Sequence, residues 1–197
     1  MKIIGITGPT GAGKTTALNA LIQLGACVID ADAVYHGLLE RSAPLREELT
    51  ARFGDILDET GKIDRKKLGG VVFTDEAALL DLNAITHRFV GEEIGRLLER
   101  AEAEGRPAAA IDAIALIESG IGGRCDAIVG VVAPAEVRIR RIMAREGIPE
   151  DYARKRVAAQ KDEAFFRAHC DYLLENDEGS TPEAFGQRAK ALFQHII

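Results

Sequence analysis

The sequence predicts an α/β fold in which helical layers cover both faces of a five-stranded parallel sheet. Five short apolar segments alternate with longer segments of helical periodicity, and strands that alternate with helices form parallel sheets through right-handed crossovers. Four of the five apolar segments are almost continuously apolar, as strands buried on both faces must be. The predicted strands cover residues 3–7, 27–30, 108–112, 127–133 and 172–174.

Helical patterns fill the intervals between these strands. They cover residues 14–24, 76–103, 135–146, 149–167 and 182–196. The interval between the second and third strands is much longer than one crossover needs, and most of it is helical in pattern. We therefore predict a core formed by residues 1–37 and 106–197, which carries a helical insert at residues 38–105.

Composition and charge exclude several classes of protein. Apolar residues make up 47% of the chain, and the net charge is −6. Because binding along a nucleic acid needs a surplus of Lys and Arg, we expect no nucleic-acid partner. No apolar run approaches the roughly 18 residues of a membrane span, so we expect no membrane partner. The N-terminus has no signal-peptide layout, and the Cys residues are widely spaced and never form CxxC, so we expect a cytoplasmic location. A monomer or a small homo-oligomer is expected.

The strongest motif is a glycine-rich segment between the first predicted strand and the first predicted helix. It matches G-x-x-x-x-G-K-[ST], the phosphate-binding loop of the three-layer P-loop NTPase fold. Glycines let the backbone amides approach an anion, and the helix N-terminus adds positive potential. We expect Lys14 to supply a cation for the terminal phosphates and the Thr15 hydroxyl to be a ligand for Mg²⁺. The predicted nucleotide-binding residues here are Gly8, Pro9, Thr10, Gly11, Ala12, Gly13, Lys14, Thr15 and Thr16.

A phosphate-binding loop predicts a nucleotide but not a reaction. A GTPase would need a guanine-reading Asn-Lys-x-Asp, which the sequence lacks. Asp58-Glu59-Thr60-Gly61 matches the D-x-x-G of a GTPase switch, but it follows no buried strand and is predicted to be a plain turn. A motor ATPase usually has a longer chain, so a small-molecule kinase fits the length best.

Acidic residues follow the second and third predicted strands. Asp30 and Asp32 end the second strand, and Asp112 ends the third. Ligands of doubly wound sheets bind beyond the carboxyl ends of the strands. There a carboxylate can position an acceptor hydroxyl and accept its proton, or reach the Mg²⁺ shell. The alternative for Asp32 and for Asp112 is that each caps the helix that follows.

Three arginines recur at helical spacing on one predicted helix. Arg138, Arg141 and Arg145 are spaced i, i+3 and i+7, which places them in one stripe. Phosphoryl transfer develops negative charge on oxygen atoms, so we expect this stripe, chiefly Arg141, to hold the transferred phosphate. The alternative is a solvated charged face. The four histidines share no ligand spacing, and none is predicted to bind a metal.

Taken in order, these segments resemble the dephospho-CoA kinase family along almost the whole chain. The family catalyses the last step of coenzyme A biosynthesis. The resemblance is carried by residues 4–8, Asp30-Ala31-Asp32, His36, residues 61–65, Leu68, residues 72–73, Leu82-Asn83, Ile85, His87, Asp112, residues 117–120, Arg141, Arg145, Gln160, Asp171-Tyr172 and Asn176.

The resemblance implies an ATP-dependent, Mg²⁺-assisted transfer to the ribose 3′-hydroxyl of dephospho-CoA. It also implies a helical substrate domain and a helical lid at about residues 138–167. Asp32 would be the general base, and Lys14 and Arg141 would stabilise the transferred phosphoryl group. Asn176 would lie near the adenine, and Arg145 would join the nucleotide site. The residues implied for the acceptor side are Asp30, Asp64, Arg65, His87 and Asp112.

Two departures from the family pattern fall on the acceptor side. Arg88 follows His87 where the family usually has Pro, and residues 114–118 read Ile-Ala-Leu-Ile-Glu where it usually has Pro-Leu-Leu-Phe-Glu. A P-loop kinase acting on another nucleoside, nucleotide or small alcohol is therefore a second hypothesis. A non-catalytic nucleotide-binding module is a third.

Overall fold

A five-stranded sheet forms the centre of the fold. The computed structural model describes residues 1–197. The strands are β1 (Lys2–Thr7), β2 (Cys27–Asp30), β3 (Ala108–Asp112), β4 (Ala127–Val132) and β5 (Tyr172–Glu175). Their order is β2-β3-β1-β4-β5, and β1 pairs in parallel with β3 and β4, as β4 does with β5. The predicted α/β fold with a five-stranded parallel sheet is confirmed.

The helices follow the predicted pattern except after β4. The helix predicted over residues 149–167 is two helices, separated by a turn that contains Gln160. The second of them begins at Glu163, and the side chain of its N-cap, Asp162, accepts a hydrogen bond of 2.9 Å from the Phe165 amide. Such a cap fixes a new helix start. The helices are α1 (Lys14–Gln23), α2 (Ala31–Arg41), α3 (Ala43–Phe53), α4 (Arg65–Val72), α5 (Glu76–Ala103), α6 (Ala135–Glu146), α7 (Glu150–Ala158), α8 (Glu163–His169) and α9 (Pro182–Ile196).

The chain divides into two compact units. The first comprises Met1–Ile29 and Arg100–Ile197, and the second comprises Asp30–Glu99. The first unit holds the sheet with α1 and α6 to α9, and the second holds α2 to α4 and most of α5. No helix is both long enough and apolar enough to span a bilayer.

Apolar strands and two packed helices make the core of the first unit. Ile4 and Ile6 of β1 are fully buried, and Phe185 and Phe193 of α9 pack into the same cluster as Leu21 of α1. Burying a side chain of this size stabilises the fold by about 1.5–3 kcal/mol. The central strand is therefore held firmly against α1 and α9, and so is the start of the loop that follows it.

Two aspartates fix the amino ends of β4 and β5 against their neighbours. The Asp126 amide donates to the Ile3 carbonyl at 2.8 Å, and its carboxylate accepts from the Ile3 amide at 2.7 Å. Asp171 makes the same pair of bonds with Ile128, at 2.9 and 2.7 Å. Each carboxylate thus extends a parallel ladder by one residue and fixes its register.

A small apolar cluster builds the second unit. Leu45, Leu49 and Ile56 are fully buried in it, together with Leu68 and Phe53. The unit also contains the D-x-x-G turn, in which the Asp58 carboxylate accepts bonds from Thr60 and Lys62. These bonds lower the pKa of Asp58. The segment is a hydrogen-bonded turn, as predicted.

Candidate active site

The phosphate-binding loop joins β1 to α1 with a positive φ, which favours glycine, at Gly8, Gly11 and Gly13. Gly8 has φ of 144°, and a Cβ there would lie 2.2 Å from the Val131 carbonyl oxygen. Gly13 has φ of 110°, and its Cβ would lie 2.3 Å from Nδ2 of Asn176. The loop backbone is thus packed directly on its neighbours, with no space for a side chain between them.

Lys14, at the start of α1, contacts the end of β3. Its Nζ lies 3.1 Å from Oδ1 of Asp112, and the two side chains are only 16% and 18% exposed. The contact follows from the sheet order, because Asp112 is in register with Ile6 of β1. Thr15, the next residue of α1, is exposed.

Arg141 and Asn176 brace the loop from α6 and from the end of β5. Arg141 donates to the Gly11 carbonyl at 3.2 Å and to Oδ1 of Asn176 at 3.2 Å. Asn176 is buried and donates to the Ala12 carbonyl at 2.8 Å. Burial and the nearby Arg140 lower the pKa of Arg141. Both polar atoms of the Asn176 side chain are therefore used within the protein, on the loop and on Arg141.

A cavity of about 320 Å³ opens beside the loop. Apart from loop residues it is lined by Ile114, Arg141 and Arg145. Ile114 belongs to the segment that departs from the family pattern, and it is exposed. Thr16 borders a different groove of about 530 Å³ between α1 and α9.

The predicted arginine stripe is divided in the structure. Arg141 and Arg145 line the cavity, whereas Arg138 is 5% exposed and donates to the Thr10 carbonyl at 3.0 Å. Arg145 also pairs with Glu146. Gln160 receives a hydrogen bond from Arg138 and contacts Thr10 through both ends of its side-chain amide. Sequence reasoning did not assign Gln160 this contact, although Asp162, a typical N-cap residue two positions later, was a possible signal of a helix break beside it.

The two aspartates after β2 differ in their surroundings. Asp30 is the N-cap of α2, and its carboxylate accepts from the Ala33 amide at 2.9 Å. Asp32 lies in the first turn of α2, is exposed and accepts no hydrogen bond. The capping role considered for Asp32 therefore belongs to Asp30.

The other residues implied for the acceptor side lie in the second unit. Asp64 caps α4 by accepting from the Lys66 and Lys67 amides. Arg65 borders a cavity of about 320 Å³. His87 is exposed on α5.

Arg88, which follows His87 where the family usually has Pro, makes its contacts within the second unit. It donates to Glu48 of α3 and lies 4.7 Å from the centre of the Phe89 ring. Both members of the Arg88–Glu48 pair are partly exposed, so it is a surface link between α5 and α3.

Comparison with known proteins gives one consistent result. The family model for dephospho-CoA kinase matches residues 2–182. The chain is 39% identical to a dephospho-CoA kinase of Corynebacterium diphtheriae over 100% of this chain and 98% of that one. It is 34% identical to one of Thermobifida fusca, over 100% and 96%.

Solved structures that resemble this fold lead to the same family as the sequence comparisons. A Thermus thermophilus protein superposes with a TM-score of 0.79 at 32% identity, over 100% of this chain and 98% of that one. The dephospho-CoA kinase of Campylobacter jejuni gives 0.72 at 26% identity, with the same coverage. A shikimate kinase of Bacteroides thetaiotaomicron, at 0.57 and 19% identity over 98% of each chain, shares the fold.

Proposed function

The chain belongs to the dephospho-CoA kinase family, and from that premise we propose that it transfers the terminal phosphoryl group of ATP to the ribose 3′-hydroxyl of dephospho-CoA. The observation that carries this proposal is the cavity beside the loop, where Lys14 and Arg141 are both held by protein partners. Two fixed cations beside glycine-rich backbone suit a triphosphate.

Lys14 and Arg141 stabilise the charge that develops on the transferred group. Catalysis of phosphoryl transfer depends mainly on positioning and on charges fixed before the reaction begins. Asp112 orients Lys14, and Asn176 orients Arg141. Neither cation then needs a large reorganisation when the substrate binds.

The donor set also fits Mg²⁺. This ion keeps several waters and takes one or two protein oxygens beside the phosphates. Thr15 offers an exposed hydroxyl next to Lys14, and Asp112 offers a carboxylate beside the same lysine. When bound, Mg²⁺ would neutralise charge between the phosphates.

Asp32 serves as the general base in this proposal. Asp30 is occupied as a helix cap, whereas the Asp32 carboxylate is exposed two residues beyond β2. It accepts the proton of the acceptor hydroxyl while the new P–O bond forms and the bond to ADP breaks. Asp64, Arg65 and His87 of the second unit are proposed to bind the acceptor.

The expected cytoplasmic location and the expected monomer or small homo-oligomer remain predictions. The three cysteines are free, which supports a reducing compartment.

The test is an ATP-consumption assay with dephospho-CoA and a panel of other acceptors, among them adenosine, AMP and small alcohols. We expect turnover with dephospho-CoA to exceed that with every other acceptor, and the product to carry phosphate at the 3′ position. Faster turnover of another acceptor would overturn the assignment of dephospho-CoA and support a kinase for another nucleoside, nucleotide or small alcohol. No turnover of any acceptor would overturn the kinase proposal itself.

A further inference from the structure

Thr10 of the phosphate-binding loop has all three of its polar groups held by two side chains from outside the loop. Its amide donates to Oε1 of Gln160 at 3.2 Å, and its hydroxyl accepts from Nε2 of Gln160 at 2.9 Å. Its carbonyl accepts from Nε of Arg138 at 3.0 Å. Arg138 also donates to Oε1 of Gln160, which closes the network.

Arg138 carries a buried charge with no carboxylate partner. It is 5% exposed, and its acceptors are a carbonyl and an amide oxygen. Arg154 of α7 and Arg167 of α8 differ from Arg138 in this respect, because each of them pairs with two glutamates. Burial lowers the pKa of Arg138. A buried cation without a counter-charge is costly, and nearby anions compensate it.

The position of Arg138 relative to the loop is tightly fixed. The α6 backbone at Arg138 packs on Gly11, where a Cβ would lie 3.0 Å from the Arg138 carbonyl oxygen. The side chain then extends to the Thr10 carbonyl and to Gln160, and Arg138 does not line the cavity. The interaction between a buried guanidinium and an anion bound at the loop is screened less by water than an interaction at an exposed surface.

We propose that Arg138 is a positioning residue for nucleotide phosphates. The positive charge of Arg138 is balanced when a polyphosphate occupies the loop. Gln160 serves this role because its neutral amide fixes the guanidinium and Thr10 without cancelling the charge. The inference rests on the proposed function only in taking the ligand to be a nucleotide polyphosphate.

The decisive variant is Gln160→Glu. A carboxylate accepts from both the Thr10 amide and Arg138, and the Thr10 hydroxyl can turn to donate to it, so the network is kept. The new charge, however, neutralises Arg138. We expect the dissociation constant of ATP to rise about tenfold and that of AMP about twofold, because ATP carries more charge at the loop. The melting temperature without nucleotide should stay the same or rise.

A second pair of variants separates charge from geometry. Arg138→Gln should weaken ATP binding about as much as Gln160→Glu does, whereas Arg138→Lys, which keeps the charge, should stay within about threefold of the original affinity. If Arg138→Gln fails to fold, Gln160→Glu still decides the question, because it retains every acceptor in the network.

The controls make the same chemical changes elsewhere. Gln194→Glu on α9 adds one exposed negative charge, and Arg100→Gln on α5 removes one exposed positive charge that pairs with Glu104. Both should leave ATP affinity within about twofold. Binding is measured by calorimetry without acceptor, so failure of the acceptor assay would not affect it. Unchanged ATP affinity in Gln160→Glu, or equal losses for ATP and AMP, would overturn the proposal.

Discussion

The Nζ atom of Lys14 lies 3.1 Å from Oδ1 of Asp112, although the two residues are 98 positions apart in the sequence.

 Parallel pairing of β1 with β3 sets Asp112 in register with Ile6, and the loop after β1 brings Lys14 back to the same edge of the sheet. The carboxylate therefore holds the lysine in place before any phosphate arrives.

Replacing Asp112 with Asn tests this relationship. Asn keeps an oxygen acceptor for Lys14 but removes the charge that orients it, and it is a weaker ligand for Mg²⁺. We expect kcat/KM for ATP to fall about 10²-fold. Steady-state kinetics at several Mg²⁺ concentrations would measure the loss. A variant with unchanged kcat/KM at every Mg²⁺ concentration would contradict the role of Asp112.

Asp30 and Asp32 provide a matched pair for the proposed base. Asp32→Asn should lower kcat by about 10²–10⁴ and leave the melting temperature nearly unchanged, because Asp32 accepts no hydrogen bond. Asp30→Ala removes the cap of α2 and should lower the free energy of unfolding by about 1 kcal/mol. Rate measurements and thermal melts on both variants make the comparison. If Asp30→Ala lost the rate and Asp32→Asn kept it, the two assignments would have to be exchanged.

The sequence predicted the sheet well because its signals are local. Buried parallel strands are short continuous apolar runs, and all five were placed within about two residues of their true ends. The helix predicted over residues 149–167 was wrong in one respect, because a cap at Asp162 begins a second helix where periodicity alone suggested continuity.

Side-chain direction was harder to predict from the sequence. Helical spacing put Arg138 and Arg141 on one stripe, but it could not show that Arg138 is buried against Thr10 while Arg141 lines the cavity. Nor could spacing show which aspartate caps α2, since Asp30 and Asp32 both follow the strand. These outcomes depend on contacts between elements distant in sequence, such as Gln160 with Thr10.

Asn176 should support ATP binding through the residues that it holds. Asn176→Ala leaves the Ala12 carbonyl without its donor and removes one acceptor of Arg141. A lost buried hydrogen bond of this kind costs about 1–3 kcal/mol, so the melting temperature should fall. We also expect KM for ATP to rise more than kcat falls, because Arg141 loses its orientation. Parallel measurements of melting and of kinetics would test both, and a lower melting temperature with unchanged KM would show a purely structural role.

Two partly buried thiols predict how stability changes at alkaline pH. Burial, together with nearby aspartates, raises the pKa of Cys125 and of Cys170 to about 11, from an ordinary value of 9.0. The folded protein therefore keeps both thiols protonated, whereas the unfolded chain releases their protons at lower pH. The stabilisation is complete below about pH 9 and is lost as the pH rises towards 11, because the unfolded state then binds fewer protons.

Replacing both thiols isolates this effect. We expect the free energy of unfolding of the original protein to fall between about pH 9 and 11, and a Cys125→Ala, Cys170→Ala variant to fall less steeply over the same range. Denaturant titrations at several pH values measure the two slopes. Equal slopes in the original protein and the double variant would show that the thiols do not contribute to the alkaline loss of stability.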